Sequence, residues 1–239
     1  MNMIFADGMP GIPIPYLLRS DGMVTSIMFL CILLISFVFA KNKKHLMLGL
    51  KNFIQNRERG DFSEKMTSTD ARHTFLLLVH TTIMLGFCGY HYLSQTTPLL
   101  FDKVSQSLLL GMLVFSFAVF IFLKYIIYQG INWIFFQKVK NSTWIATFIH
   151  LLVWLGILLL PLVLLIVYFD IPPKASVYTT GSLLILAKIT LFWKCFSNFF
   201  EKIHGALHLI LYFCALEILP DLIFWKGMEI ISNNLTLNL

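Results

Sequence analysis

The sequence predicts an all-α membrane protein, a polytopic bundle of about six transmembrane helices in one domain. Hydrophobic residues make up 58% of the chain, whereas soluble domains contain roughly 45–50%. Charged residues make up 13%, about half of the soluble norm. Six apolar runs of about 20 residues, the length that crosses a bilayer as a helix, occupy most of the 239 residues. Little of the chain is left for a separate soluble domain.

The six apolar runs define the predicted spans in chain order. They lie at about 23–40, 75–93, 107–128, 143–169, 177–197 and 207–225. Each is assigned as a helix because an isolated strand cannot satisfy its backbone hydrogen bonds in lipid. Pro161 in the fourth span and Pro220 in the sixth mark expected helix breaks, since proline lacks the backbone N–H and clashes with the preceding turn.

The segments outside the membrane domain, which covers 23–228, are short. Residues 1–22 contain Asp7 and three closely spaced prolines and lack a basic start, so they are unlike a cleavable signal peptide. We expect them to form an extended arm on the outer side. Residues 229–239 are expected to form a short C-terminal tail.

The basic residues are unevenly distributed between the two sides of the predicted membrane. Thirteen lysines and arginines fall in or near the first, third and fifth connections, eight of them in the first, and four fall on the other side. The positive-inside rule therefore places these connections in the cytoplasm and both termini outside. Because topology accounts for the net charge of +6, the expected partner is the lipid bilayer and not nucleic acid.

The first cytoplasmic connection is predicted to contain a basic amphipathic helix. Apolar residues recur there at helical spacing with basic residues between them: Leu46, Met47, Leu50, Phe53 and Ile54. This pattern favours a helix that lies on the inner leaflet. A helix that docks a partner protein is the alternative.

The most informative polar residues lie inside the predicted spans. Glu217 falls near the middle of the sixth span, where a charged side chain costs roughly 2.5–3.5 kcal/mol on insertion scales. Asp221 shares its face if the helix continues past Pro220. Lys188 lies in the middle of the fifth span and is the expected counter-ion of Glu217. These three residues form the candidate intramembrane site, which either fixes helix packing or handles an ion, a proton or a ligand.

A second candidate site consists of histidines. His204 and His208 are four residues apart, which places two imidazoles on one helical face and suits a metal or a haem edge. His150 in the fourth span is a further candidate ligand. Two histidines do not complete a zinc site, and interfacial histidines are common, so no cofactor is predicted.

Motifs of common enzyme classes do not occur in the sequence. GxxxxGK[ST], HExxH and GxSxG are all missing, and the four cysteines form no CxxC pair. We therefore do not expect an enzyme.

The C-terminal half resembles a family of bacterial inner-membrane proteins from the Bacteroidota, catalogued as domain of unknown function 4271. The residues that carry this resemblance are HLILYFCALEILPDLIFWK, from His208 to Lys226, with LYFCALEILP the most specific part. The layout of the spans and the basic loop are also similar, from about Asp21 to Lys226. The resemblance implies a multi-pass protein of the bacterial inner membrane. It implies no activity, cofactor or catalytic residue.

Three functions remain open at the level of sequence. The first is a non-enzymatic subunit or scaffold of a membrane complex, with other membrane proteins or further copies of the chain as partners. The second is a small proton- or ion-coupled transporter that uses Glu217 and Lys188. The third is a membrane protein that binds a metal or haem through His204 and His208.

Overall fold

The chain is almost entirely helical wherever the structure describes it. A computed structural model describes residues 18–55, 68–97, 104–135, 138–169, 171–199 and 211–238, and no strand occurs among them. Five stretches are long and apolar enough to cross a membrane: Gly22–Lys43, Asp70–Thr96, Gln106–Ile134, Lys140–Tyr168 and Lys174–Ser197. The predicted all-α membrane fold is therefore confirmed. A sixth span and the outward location of both termini stay predictions.

The first helix, α1, covers Gly22–Gln55 and combines the first predicted span with the start of the basic loop. Asp21 caps it, because its Oδ1 accepts a hydrogen bond of 2.8 Å from the Met23 N–H. Asn42 has non-helical dihedrals, φ −127° and ψ 21°. The kink therefore lies where the apolar run gives way to lysines. The helical segment after it matches the predicted loop helix in position, with Leu46 buried and Met47 exposed.

Four further helices follow: α2 (Ser68–Thr96), α3 (Gln106–Phe135), α4 (Lys138–Tyr168) and α5 (Pro173–Phe199). Proline suits the first position of α5, because its fixed φ is helical and its missing N–H would have no partner there. Helix α3 continues past the expected end at residue 128, since residues 131–135 are again mainly apolar. Helix α4 continues through Pro161, so the expected break does not end that helix.

Helix α2 lies at the centre of the bundle and packs closely against α3 and α4. A Cβ atom added to Gly156 of α4 would lie 2.1 Å from Thr81 Oγ1. A Cβ atom added to Gly86 of α2 would lie 2.4 Å from a methyl carbon of Val114 on α3. Small residues at these crossings let the helix backbones approach each other, as is typical of membrane proteins.

Polar groups of α2 also bond directly to α4. The Thr81 hydroxyl lies within hydrogen-bonding distance of the carbonyls of Leu77 and Leu152, at 2.9 and 3.1 Å. His80 Nε2 lies 3.3 Å from the Gly156 carbonyl. Large apolar side chains, in contrast, cover the outer faces of α1, α3 and α5. This arrangement suits a bundle surrounded by lipid.

The last helix changes its winding near its start. Residues 211–213 are α-helical, Cys214–Ile218 form a π-helical turn, and α6 covers Leu219–Asn238. In the π turn the Leu219 N–H donates to the Cys214 carbonyl, five residues back. The helix continues through Pro220 and past residue 225, so most of the expected C-terminal tail is helical. Hereafter residues 211–238 are called the last helix.

Candidate functional site

Four charged side chains from three helices meet at one point of the bundle. Lys124 comes from α3 and Lys188 from α5, and the last helix supplies Glu217 from its π turn and Asp221 from α6. Two positive and two negative charges therefore form a cluster with no formal net charge. We call it the charge cluster.

Each lysine of the cluster contacts both carboxylates. Lys124 Nζ donates to Glu217 Oε2 at 2.5 Å and lies 2.8 Å from Asp221 Oδ1. Lys188 Nζ donates to the same Glu217 oxygen and lies 2.6 Å from Asp221 Oδ2. The charges are thus shared around the cluster and not divided into two separate pairs.

The cluster has a buried side and an accessible side. The side chains of Lys124 and Glu217 are 4% and 1% exposed, and we call these two residues the inner ion pair. Those of Lys188 and Asp221 are 37% and 34% exposed, and we call them the outer ion pair. The outer pair therefore reaches the surface formed by α5 and the last helix.

Tyr128 completes the surroundings of Glu217. Its hydroxyl donates to Glu217 Oε1, so both carboxylate oxygens accept hydrogen bonds. Its ring makes edge contacts with Trp144 and Phe148 of α4, at centroid distances of 5.5 and 5.1 Å. Aromatic packing therefore holds the hydroxyl in place against the carboxylate.

The cluster lies well inside the transmembrane region. Lys124 precedes the last residue of α3 by eleven residues, and Lys188 precedes the last residue of α5 by the same number. At 1.5 Å per residue this places both lysines about 16 Å from those helix ends, close to half of the roughly 30 Å hydrocarbon thickness. Charged groups at this depth need partners that lipid does not supply.

The π turn allows the last helix to align its polar side chains with those of α3. On α3 the polar residues Lys124, Tyr128 and Asn132 are spaced by four residues. Their partners on the last helix are Asp221, Glu217 and Tyr212, spaced by four and then five.

In a regular α-helix, residues five apart point about 140° away from each other. The wider π turn brings Tyr212 and Glu217 back towards the same side, where Tyr212 donates to Asn132 Oδ1 at 2.6 Å. π turns occur frequently at functional sites.

Aromatic side chains close the interface on the other side of the cluster. Phe224 of α6 stacks on Phe120 of α3 at 4.3 Å and contacts Phe117 at 5.1 Å. Trp225 packs against Tyr92 of α2 at 4.8 Å. The polar contacts between α3 and the last helix thus extend from the cluster towards the end of α3, and the interface towards its start is mainly apolar.

The structure brings together the three residues of the predicted intramembrane site. Lys188 contacts Glu217, and Asp221 lies on the same side of the helix. Sequence reasoning missed Lys124 and Tyr128, because it ended the third span at residue 128 and counted Lys124 with the cytoplasmic connection. The apolar residues that continue to Phe135 could have shown that both lie inside a longer helix. When Lys124 is left out of the count, basic residues still predominate on the predicted cytoplasmic side of the membrane.

The histidine site is not assembled in the part of the chain that the structure describes. His204 and His208 lie outside the described residues. His150 Nδ1 lies 2.7 Å from the Ala146 carbonyl in its own helix. Among the described residues, no group of three histidine, cysteine or acidic side chains is placed to hold a metal ion.

Comparison with known proteins identifies a family but no function. The model of a family described as a domain of unknown function, DUF4271, matches residues 24–228. That range is most of the chain, so the protein belongs to this family. No curated protein matches, and no solved structure matches.

Proposed function

We propose that this DUF4271 member is a non-enzymatic subunit of a complex in the bacterial inner membrane, and that its partner binds the surface of α5 and the last helix. The observation that carries the proposal is the position of the outer ion pair. Lys188 and Asp221 are each about one third exposed at mid-membrane depth. Lipid tails cannot hydrogen-bond to them, whereas a protein partner can.

The surroundings of the outer ion pair support a protein interface. One helical turn to either side of Lys188 and Asp221 lie exposed apolar side chains: Ile185, Phe192, Ile218 and Trp225. The surface therefore has a polar centre with an apolar margin. Hydrogen bonds between helices contribute about 1–2 kcal/mol to association in membranes, in addition to the packing of side chains.

The test compares the wild type with a variant that lacks the outer ion pair. Replacing both residues, Lys188→Met with Asp221→Leu, leaves no unbalanced charge and preserves the contact between Lys124 and Glu217. Both tagged proteins are purified from native membranes in mild detergent, and retained proteins are identified by mass spectrometry. We expect the wild type to retain a stoichiometric partner, seen either as a second protein or as a further copy of the chain that raises the mass of the complex in gel filtration. We expect the variant to lose it while keeping its helical circular dichroism.

A matched control lies on the same helix. Lys226 and Glu229 form an ion pair of 2.7 Å whose side chains are exposed. The double replacement Lys226→Met with Glu229→Leu removes the same number of charges outside the charge cluster, and we expect it to leave the partner bound. A wild type that retains no partner, or an outer-pair variant that retains it fully, contradicts the proposal.

Transport coupled to protons or ions is the second candidate function, and the graded exposure of the cluster favours it. The buried carboxylate of Glu217 is connected to the surface through Lys188, which contacts both Glu217 and Asp221. Carboxylates and lysines in such positions often mark ion pathways. A transporter of this kind would depend on the acidity of Glu217 and not only on its shape.

The test of this second function uses purified protein in vesicles that contain a pH-sensitive dye. After a proton gradient is imposed, a proton-coupled carrier dissipates it faster than empty vesicles do. Glu217→Gln should abolish this difference, while Glu229→Gln on the exposed face should preserve it. Equal decay in wild-type and empty vesicles argues against proton coupling.

A further inference from the structure

We infer that the partner on the surface of α5 and the last helix is a second copy of the same chain, related by a two-fold axis that places Lys188 of each copy beside Asp221 of the other. This inference rests on the proposed function, which requires a protein partner at that surface. The charge, the hydrogen-bonding capacity and the shape of the surface favour a second copy as the partner.

The charges of the surface complement themselves. A two-fold interface brings the same patch of two subunits together, so the patch must match its own rotated copy. The outer ion pair presents one positive and one negative group side by side, 2.6 Å apart. Rotation about a two-fold axis beside this pair places Lys188 of each copy near Asp221 of the other. A different partner would have to bring its own matching pair to the same depth.

The outer ion pair also has unused hydrogen-bonding capacity. A lysine ammonium has three N–H donors, and Lys188 has two acceptors in the cluster, Glu217 and Asp221. Asp221 receives one lysine contact on each oxygen, although each carboxylate oxygen can accept two hydrogen bonds. Among the described residues, Lys188 therefore has one further N–H donor and Asp221 Oδ2 has further acceptor capacity for a second copy, whereas Asp221 Oδ1 is buried inside the bundle.

The shape of α5 permits close approach. Gly181 lies two helical turns before Lys188, on the same face, and a Cβ atom added there would meet no other atom within 4 Å. Small residues on exposed faces of membrane helices let two backbones pack closely. The large exposed side chains of Tyr178 and Ile185 lie one helical turn to either side of this position, so the face has a shallow depression between two bulky side chains.

The experiment uses full-length protein carrying two different tags, co-expressed in native-like membranes. The two single variants are Lys188→Met and Asp221→Asn. Each is expected to fold, because Asp221 keeps its contact with Lys124 in the first and Lys188 keeps its contact with Glu217 in the second. Helical circular dichroism and elution of a single species from gel filtration check this.

The measured quantity is the fraction of the second tag recovered with the first in mild detergent. We expect clear recovery for the wild type and about tenfold less for each variant co-expressed with itself, because both ion pairs between the copies are lost, even where the amide oxygen introduced by Asp221→Asn still accepts a hydrogen bond. Co-expression of Lys188→Met with Asp221→Asn should restore part of the recovery, since one lysine and one aspartate still meet. Lys226→Met should behave like the wild type.

Each other outcome contradicts the inference in a distinguishable way. If both single variants recover the second tag as well as the wild type does, or if the mixed pair is no better than either variant alone, the outer ion pair does not join two copies. If mass spectrometry of the same samples finds a different protein bound through the outer pair, the inference fails and the proposed function stands. If nothing is bound to the wild type, both fail.

Discussion

Glu217 is stabilised inside the bundle by several donors acting together. Two ammonium groups and one phenol surround its carboxylate, so the loss of a single donor still leaves it paired. The loss of the carboxylate is different, because Lys124 then has Asp221 as its remaining cluster partner and Tyr128 loses its acceptor. At the scale of single residues, Glu217 is therefore the position of the cluster most sensitive to substitution.

The first prediction concerns the loss of the Glu217 carboxylate. Glu217→Leu should lower the free energy of unfolding by about 3–5 kcal/mol, the usual cost of removing one partner of a buried ion pair. Lys124→Met in addition should remove part of this penalty, since the inner ammonium, which Asp221 alone would then pair, is gone as well. Unfolding in mixed micelles with increasing sodium dodecyl sulfate, followed by circular dichroism, measures both effects.

Glu229→Gln is the matched control for this experiment. Glu229 lies on the same helix, and its side chain is exposed beside Lys226. Its replacement should change the unfolding free energy by no more than about 0.5 kcal/mol. A double variant as unstable as the sum of its single variants would show that Lys124 and Glu217 do not act as a pair.

The second prediction isolates the hydroxyl of Tyr128. Tyr128→Phe removes the hydrogen bond to Glu217 and keeps the ring contacts with Trp144 and Phe148. We expect a loss of about 1.5–3 kcal/mol, the range for hydrogen bonds to charged groups. The same unfolding measurement applies. Tyr125→Phe, at an exposed position three residues earlier, should have almost no effect, and an equal loss there would contradict a specific role of Tyr128.

The residues of the charge cluster differ in how well the sequence predicts them, because they lie at different distances from the ends of the predicted spans. Lys188 and Glu217 interrupt the middle of apolar runs, so their meeting at similar depth follows from the arrangement of neighbouring helices. Lys124 lies near the point where the strongest apolar run of α3 ends, and a lysine there is usually interfacial. Tyr128 is uncharged, so the sequence does not mark it as an unusual residue within a span. Its role depends on the packing of α3 against α4 and the last helix.

The close crossing of α2 and α4 leads to a prediction at the scale of helices. Gly156→Val should push these helices apart, because even the Cβ atom would lie 2.1 Å from Thr81 Oγ1 and 3.0 Å from the Thr81 backbone. Overpacking of this kind costs about 1–3 kcal/mol, and the contact between His80 and the Gly156 carbonyl should be lost as well. We expect a lower detergent unfolding midpoint and partial recovery when Thr81→Ala is added.

Glycines in open positions provide the control for the crossing. A Cβ atom added to Gly111 or Gly130 of α3 meets no atom within 4 Å. Gly111→Ala should leave stability unchanged or raise it slightly, because alanine favours the helix by up to about 1 kcal/mol. If Gly156→Val were as harmless as Gly111→Ala, the two helices would not be as close as the structure places them.

Helices are easier to predict from this sequence than their irregularities. Long apolar runs indicated the five membrane-spanning helices, since composition alone distinguishes them from loops. The kink of α1 at Asn42 coincides with a change from apolar to basic residues. The π turn could not be predicted, because neither Glu217 nor any other residue type in Cys214–Ile218 favours π winding over α winding. The turn follows from the need to align Tyr212 and Glu217 with α3 while Pro220 lacks an N–H for the carbonyl of residue 216.

At the scale of the whole molecule, the orientation in the membrane is the property that most needs measurement. The distribution of basic residues predicts that both termini face outward. An alkaline phosphatase fused after residue 239 should therefore be active, and a green fluorescent protein fused there should be dark. The same pair of fusions after residue 60, in the basic loop, should give the opposite result. Fluorescent fusions after both residue 60 and residue 239 would instead indicate an odd number of spans.

The pairing of polar residues between α3 and the last helix limits how the bundle can move. Two regular helices can slide past each other by one turn, about 5.4 Å, when the new register offers an equivalent set of contacts. A slide that moved Glu217 from Tyr128 to Lys124 would place Asp221 opposite Phe120 and would separate Asn132 from Tyr212. A piston stroke along this interface is therefore disfavoured.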